Sequence, residues 1–313
     1  MISSTSNDKI KYMEKLRKSA SFRREEGLFP VEGIRMVREI PADRLDCLYY
    51  TEKAFEKNRE EILNIYDARI MNGGIDERRL SDNESKVSES GQKYLMPENE
   101  TFQPVSDACM NKMSDTETPQ GIIAAVRMTG FSLEDIISRH DDSGEAAGKS
   151  EPLILIAEKL QDPGNLGTII RTAEAAGVTG IILSKDCADI YNPKTIRSTM
   201  GAIFRMKMYV SDDLVSDISR LKAYGVKVYA MHLSGSEFYE KDFTKGTAFL
   251  IGNEGNGLSA EVSAAADEMM RIPMMGKVES LNAAVSASVV AYEALRQRHG
   301  AIKNSRMQKS VKR

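Results

Sequence analysis

Asparagine, arginine, glutamate and serine gather at three glycine- or proline-marked junctions in the last third of this 313-residue chain. The first is Asp162-Pro163-Gly164-Asn165-Leu166-Gly167, with Arg171 just beyond it. The second is Gly252-Asn253-Glu254-Gly255-Asn256-Gly257, and the third is Arg271-Ile272-Pro273-Met274 leading into Ser280-Leu281-Asn282. An arginine near the capped start of a helix can grip a phosphate or carboxylate with two parallel hydrogen bonds. Glycines let the backbone approach a ligand closely. The second junction is not a phosphate-binding P-loop, because no Lys-Ser/Thr follows, and its G-x-x-G-x-G order is not the dinucleotide fingerprint. Glu254 there argues against a nucleoside triphosphate. Each junction also has a plain reading. Arg171 can pair with Glu174, the glycine loop can be a tight turn, and the segment after Asn282 can be a core helix.

Each junction ends a short apolar run and opens a helix. In an open α/β sheet that is where ligands bind. The spacing predicts strands at 153–157, 180–184, 206–210, 226–231, 247–251 and 269–272. It predicts helices at 165–176, 192–201, 212–224, 259–265 and 281–297. Strands alternating with helices mean a mainly parallel sheet covered on both faces. Pro163 and Gly164 force a turn, and Asn165 is placed to cap the first of these helices. Leu166, Ile169, Ile170, Ala173 and Ala176 form its apolar stripe. Arg171 projects about 140° from Leu166 at 3.6 residues per turn. In the last helix, Leu281, Ala284, Val285, Ser288, Val289 and Tyr292 share one stripe, and its small residues would let another backbone pack closely.

The totals bound the class. Apolar residues make up 41% and charged residues 28%, enough for a real core in a soluble globular protein. The net charge of -3 announces no nucleic-acid binder as a whole, so any basic patch is local. No apolar run is long enough to span a bilayer, and Met1–Lys18 has no signal-peptide core. Cys47, Cys109 and Cys187 are scattered, as are His140, His232 and His299. Reduced thiols in a cytoplasmic protein with no metal site are the expectation.

The first part of the chain reads as a separate small α/β domain. Ile10, Met13 and Leu16 follow helical spacing, with Lys9, Lys11, Lys15, Lys18, Arg23 and Arg24 on the other faces. This is either a solvated surface or one that contacts phosphates. Strands are expected at 28–33, 45–50 and 122–126, and helices at 34–39, 54–66 and through Met110 and Met113. Residues 67–100 are polar and read as an inserted mobile segment. We expect a first domain over 1–137, a linker over 138–151, a second domain over 152–299 and a basic tail over 300–313. The tail is either a solubilising extension or an RNA contact.

Taken together, the three junctions resemble the three motifs of the SpoU/TrmH class of SPOUT RNA 2'-O-ribose methyltransferases. Asp162 to Thr168 and Arg171 to Gly177 match the first motif, Gly252 to Leu258 the second, and Ile272-Pro273-Met274 with Ser280-Leu281-Asn282 the third. Phe29 to Gly33, Leu16 to Arg24 and Ser114 to Gly121 resemble this class's ribosomal-protein-like substrate-binding domain. The resemblance implies a parallel sheet with a deep trefoil knot, a homodimer and S-adenosylmethionine as cofactor. It implies that Gly252, Ile272 and Leu281 hold the cofactor, with Pro273 and Met274 on its adenine side. Asn165, Arg171, Glu254, Ser280 and Asn282 would form the catalytic surround. The two-domain layout is more similar to rRNA enzymes than to minimal tRNA enzymes. The rivals are a tRNA 2'-O-methyltransferase, a thiostrepton-resistance-type rRNA enzyme, and a non-catalytic RNA-binding protein that kept the fold. A small-molecule dehydrogenase is weaker still, without a dinucleotide fingerprint.

Overall fold

Helix caps and apolar spacing set the local structure of the first unit. The structure, a computed structural model, describes residues 1–71, 86–87, 93–94, 98–137 and 151–310. The chain divides into two compact units, Met1–Thr129 with Tyr191–Phe204, and Gly130–Ile190 with Arg205–Arg313. In the first, helix α1 (Asp8–Lys18) starts where the Asn7 side chain accepts from the Lys9 N–H, and it buries Ile10, Met13 and Leu16. Helix α2 (Ala20–Glu26) is capped by Ser19 and ends at Gly27, whose φ of 64° an L-residue rarely adopts. There follow β1 (Leu28–Glu32), α3 (Ile34–Val37), β2 (Leu45–Tyr50), α4 (Glu52–Lys57), α5 (Arg59–Met71), the paired β3 (Lys86–Val87) and β4 (Lys93–Tyr94), β5 (Phe102–Pro104), α6 (Asp107–Met113) and β6 (Ile122–Arg127). The main sheet runs β1-β6-β2-β5. Helices α1 and α6 cover it through Ile10, Met13, Leu16, Met110 and Met113 against Cys47, Tyr49, Ile123 and Ala125. Burial there pushes the Cys47 thiol up to about 12, which disfavours its nucleophilic thiolate. Of the segment expected to be an insertion, α5 occupies the start, and 72–85, 88–92 and 95–97 lie outside the described residues. So do residues 138–150 of the expected linker.

The second unit opens with α7 (Leu133–Ile137), so its start precedes the boundary expected at 137. The reason is packing: Leu133 and Ile136 are buried with Ile154, Ile182 and Val228. Next come β7 (Leu153–Ala157), α8 (Pro163–Ala175) and β8 (Gly180–Ser184). Helix α9 (Pro193–Thr199), within the expected second domain, belongs to the first unit, where Arg197 pairs with Asp115 at 2.9 Å. The chain then forms β9 (Met208–Ser211), α10 (Leu214–Ala223), β10 (Lys227–Glu237), β11 (Thr247–Ile251), α11 (Ala260–Ala265), β12 (Glu268–Arg271) and α12 (Ala283–Ser310). The six strands lie in the order β12-β10-β11-β7-β8-β9, all parallel. This is the mixed α/β architecture with a parallel sheet that the alternation predicts.

Two details differ from the sequence reading. Strand β10 continues past Met231 to Glu237, because a register shift between Met231 and Ser236 lets it pair twice with Met270 of β12. Helix α12 turns a different face inward. Ala283, Ala284, Ala287, Val290, Ala291 and Ala294 are buried, whereas Val285 and Tyr292 are 47% and 49% exposed. Small alanines let α12 settle close on α8, where Ser288 Oγ donates to Thr172 Oγ1 at 3.2 Å. The helix also runs through most of the expected tail, which contains good helix formers and no proline. Among the described residues no helix is long and apolar enough to cross a membrane.

Arg298 on α12 ties the strand entries together. Its guanidinium donates to the carbonyls of Glu151, Pro152, Phe243 and Lys245 at 2.6, 3.0, 2.9 and 2.7 Å. Arg298→Ala strips a charged donor from all four, and a loss of about 2 kcal/mol is expected. Thermal melting should show a Tm drop of about 4–8 °C.

Candidate active site

The first junction is built on proline. Pro163 has no N–H to lose at the first helical position, so the residue before it is the natural cap. Asp162 takes that place, its carboxylate accepting the Asn165 N–H at 2.7 Å. This corrects the expectation that Asn165 caps the helix. Asn165 sits inside the first turn, and its side chain is released for longer-range bonds. Asp162→Ala is expected to cost about 1 kcal/mol, read as a Tm drop of about 2–4 °C.

Asn165 Nδ2 donates to Glu254 Oε1 at 2.9 Å, and Asn165 Oδ1 accepts from Asn282 Nδ2 at 3.1 Å. The amide directions follow from the neighbours. Asn282 Oδ1 caps α12 by accepting the Ala284 N–H at 2.9 Å, so only its amide nitrogen is left to face Asn165. Asn165 must then offer its oxygen to Asn282 and its nitrogen to Glu254. One residue from each junction thus enters a single polar chain.

Arg171 lies further along α8 and is exposed. Among the described residues it makes no hydrogen bond or ion pair. The plain alternative, pairing with Glu174, does not form: Glu174 holds Arg205 at 2.8 Å. A charged, uncommitted guanidinium remains on the helix that carries Asn165.

The second junction closes on itself. Asn253 and Gly257 exchange backbone hydrogen bonds at 3.0 and 2.9 Å. Asn253 Oδ1 accepts the N–H groups of Gly255 and Asn256, and its Nδ2 donates to the Lys159 carbonyl at 2.8 Å. Gly252 has no room for a side chain: a Cβ there would stand 2.3 Å from the Gly257 carbonyl carbon. Glu158, only 4% exposed, accepts the Ser259 N–H at 2.8 Å and secures the far end of the loop. Sequence reasoning missed Asn253, Glu158 and Ser259 as fasteners. An asparagine in a glycine loop signals such a turn, and a carboxylate directly after a buried strand signals a bound partner.

A cavity of about 370 Å³ opens on this loop. Gly252, Glu254, Ile272, Met274, Ser280 and Leu281 line it. So do Met231, His232 and Leu233, which the sequence reading did not select. Pro273, Asn165, Arg171 and Asn282 are not in its wall. The residues therefore split into a cavity set and a polar set, with Glu254 in both. The size falls within the ligand-pocket range of roughly 300–1,000 Å³. Ile272, Met274 and Leu281 offer an apolar wall for a flat ring, and the glycine loop offers backbone donors and acceptors. Glu254 and Glu279 line the cavity with one guanidinium, Arg271, so acids outnumber that cation in the wall and a positively charged ligand is tolerated. That combination fits S-adenosylmethionine, a sulfonium carrying an adenine. Cys187, which donates to the Ala157 carbonyl at the end of β7, has its thiol pKa raised by burial.

Known proteins match both units. Residues 152–292 match the SpoU rRNA methylase family, and residues 7–124 match an MRM3-like substrate binding domain. The chain is 36% identical over 189 residues to the 23S rRNA (guanosine(2553)-2'-O)-methyltransferase RlmP of Bacillus subtilis, covering 60% of this chain and 70% of that protein. It is 32% identical over 198 residues to the 23S rRNA (uridine(2479)-2'-O)-methyltransferase of Streptomyces viridochromogenes, covering 61% and 66%. The crystal structure of an AdoMet-bound rRNA methyltransferase from Sinorhizobium meliloti superposes with a TM-score of 0.73 at 26% identity, covering 94% of this chain and 97% of that one. With the three junctions meeting around one cavity and one polar chain, these matches show that the protein belongs to the SpoU rRNA methylase family.

Proposed function

We propose that this protein methylates a ribose 2'-hydroxyl of ribosomal RNA, with 23S rRNA as substrate and S-adenosylmethionine as methyl donor. The observation that carries the reading is the Glu254–Asn165–Asn282 chain beside the cavity, with an uncommitted Arg171 on the same helix as Asn165. The relatives named as 23S rRNA 2'-O-methyltransferases support the substrate.

Bound S-adenosylmethionine supplies an electrophilic methyl carbon. Gly252, Ile272, Met274 and Leu281 would hold it, with Pro273 stiffening the approach and Ser280 at the rim. Asn165, fixed in direction by Glu254 and Asn282, orients the ribose. Arg171 stabilises the alkoxide that develops as the 2'-hydroxyl loses its proton. It does not take that proton, because a guanidinium is protonated at any working pH. A neighbouring RNA phosphate is the acceptor this reading assigns.

The first unit would bind RNA, through surfaces that include the exposed Lys9, Lys11, Lys15 and Lys18 of α1. A homodimer is part of the proposal. It is supported by the outward stripe of Val285, Val289 and Tyr292 on α12, of which Val285 and Tyr292 are about half exposed. A cytoplasmic site of action goes with an rRNA substrate.

Mapping 2'-O-methylation across total rRNA and tRNA, with and without the gene, tests the reaction. Loss of one 23S site is expected. A lost tRNA site would move the substrate, and no lost site in either RNA would sink the enzymatic reading.

A further inference from the structure

A second crevice, of about 370 Å³, shares Asn253, Asn256, Gly257 and Leu258 of the glycine loop with the first. Its walls come from the turn after β7 (Lys159, Gln161) and the loop after β11 (Asn253 to Ser259), with Asp186 at the side. In the sheet order, β7 and β11 are neighbours from which the chain runs to opposite edges. Crevices at such a reversal, outside the carboxyl ends of the strands, are where α/β sheets take ligands.

Lys159 has a φ of 52°. Only Lys159 and Met200 among the described non-glycine residues have positive φ. A lysine gains nothing locally from that conformation, which glycine adopts freely. It is imposed from both sides: the Lys159 N–H donates to Ser184 Oγ at 2.9 Å, and its carbonyl accepts from Asn253 Nδ2 at 2.8 Å. Backbone strain of this kind clusters at binding and catalytic sites. Its ammonium has Glu158 Oε1 4.0 Å away, and the side chain is 54% exposed. Gln161 Nε2 donates to the Asp186 carbonyl at 2.6 Å, which leaves the Asp186 carboxylate outside that bond.

A cation and a carboxylate on one crevice disfavour a small multivalent anion. They suit a group that is anionic at one end and a hydroxyl donor at the other, which describes a ribonucleotide. We propose that this crevice is an RNA subsite for a nucleotide next to the methylated one, with Lys159 on its phosphate and Asp186 accepting from its ribose hydroxyl. The inference rests on the methyltransferase reading, because Asn253 forms part of both the glycine-loop cavity and this crevice.

Lys159→Gly tests function with little cost to folding, since glycine suits the positive φ while the side chain and its ammonium are removed. Binding of protein-free 23S rRNA should weaken by roughly three- to tenfold, and the slope of log affinity against log salt should fall by about one. The Tm should hold or rise by about 1–3 °C. Asp186→Ala should narrow the preference for RNA over DNA of the same sequence, because only RNA carries the 2'-hydroxyl. Affinity for S-adenosylhomocysteine should be unchanged in both variants. An unchanged salt slope and affinity in Lys159→Gly would overturn the subsite even where the wild type methylates rRNA. A wild type that binds rRNA normally but methylates none would instead count against the reaction. A falling Tm in Lys159→Gly would overturn the strain argument.

Discussion

Replacing Arg171 with alanine is expected to slow methyl transfer to rRNA by about a hundred- to a thousandfold, the usual cost of one charge-stabilising donor. Affinity for S-adenosylhomocysteine should stay within about twofold, because Arg171 does not line the glycine-loop cavity. Fold stability should barely change, since the side chain is exposed and makes no hydrogen bond or ion pair among the described residues. Arg171→Lys keeps the positive charge but loses the two-pronged geometry, so it should retain measurable activity. Single-turnover methylation with saturating cofactor reads these rates, and calorimetry reads the cofactor affinity. If the lysine variant is as inactive as the alanine variant while still binding cofactor, charge stabilisation alone is an insufficient role for this residue.

The second large effect is expected at Gly252. A Cβ there would lie 2.3 Å from the Gly257 carbonyl carbon and 2.4 Å from the Leu258 nitrogen. Both are backbone atoms and cannot swing aside as a side-chain tip could. Gly252→Ala must therefore open the bridge between Asn253 and Gly257. That displaces the cavity wall and, through Glu254, the partner of Asn165. S-adenosylhomocysteine binding should weaken by about a hundredfold or more, since shifts near 1 Å at a site cost on that order. Gly255→Ala is the control. Its nearest neighbour would be Asn253 Oδ1 at 3.6 Å, an ordinary contact, and binding should be near normal. Full cofactor affinity in Gly252→Ala would show that the loop is not the cofactor's support. The two variants also separate the halves of the site: Arg171→Ala should lose rate and keep binding, and Gly252→Ala should lose both.

Much of the fold was legible because local rules and the final packing agree. The runs at 153–157, 180–184 and 247–251 are apolar but for Ser184 and Thr247 at their ends and are buried throughout, as parallel strands covered on both faces must be. The stripe of Leu166, Ile169, Ile170 and Ala173 fixed the inward face of α8. The same logic failed on α12, where the inward face is alanine-rich and the larger Val285 and Tyr292 point out. Hydrophobicity ranks side chains, but close approach of two helix backbones selects small ones, and only the neighbouring helix decides between them. The cap at Asp162 was readable from Pro163, and assigning it to Asn165 overlooked what proline does at a first helical position.

The sequence by itself determined the order of strands and helices, the three junctions and the residue types gathered there, because these depend on spacing, turn chemistry and propensity within a few residues. Tertiary structure decided which of those residues meet. Glu254 and Asn282 lie 89 and 117 positions from Asn165 along the chain, yet the three form one hydrogen-bonded series. Met231, His232 and Leu233 of the cavity wall lie where β10 shifts register against β12. The strain at Lys159 exists only because Ser184 and Asn253 hold its backbone from two other segments. Hydrogen bonds and cavities of this kind are set by the pairing of distant strands, and local sequence carries no record of the distance they close.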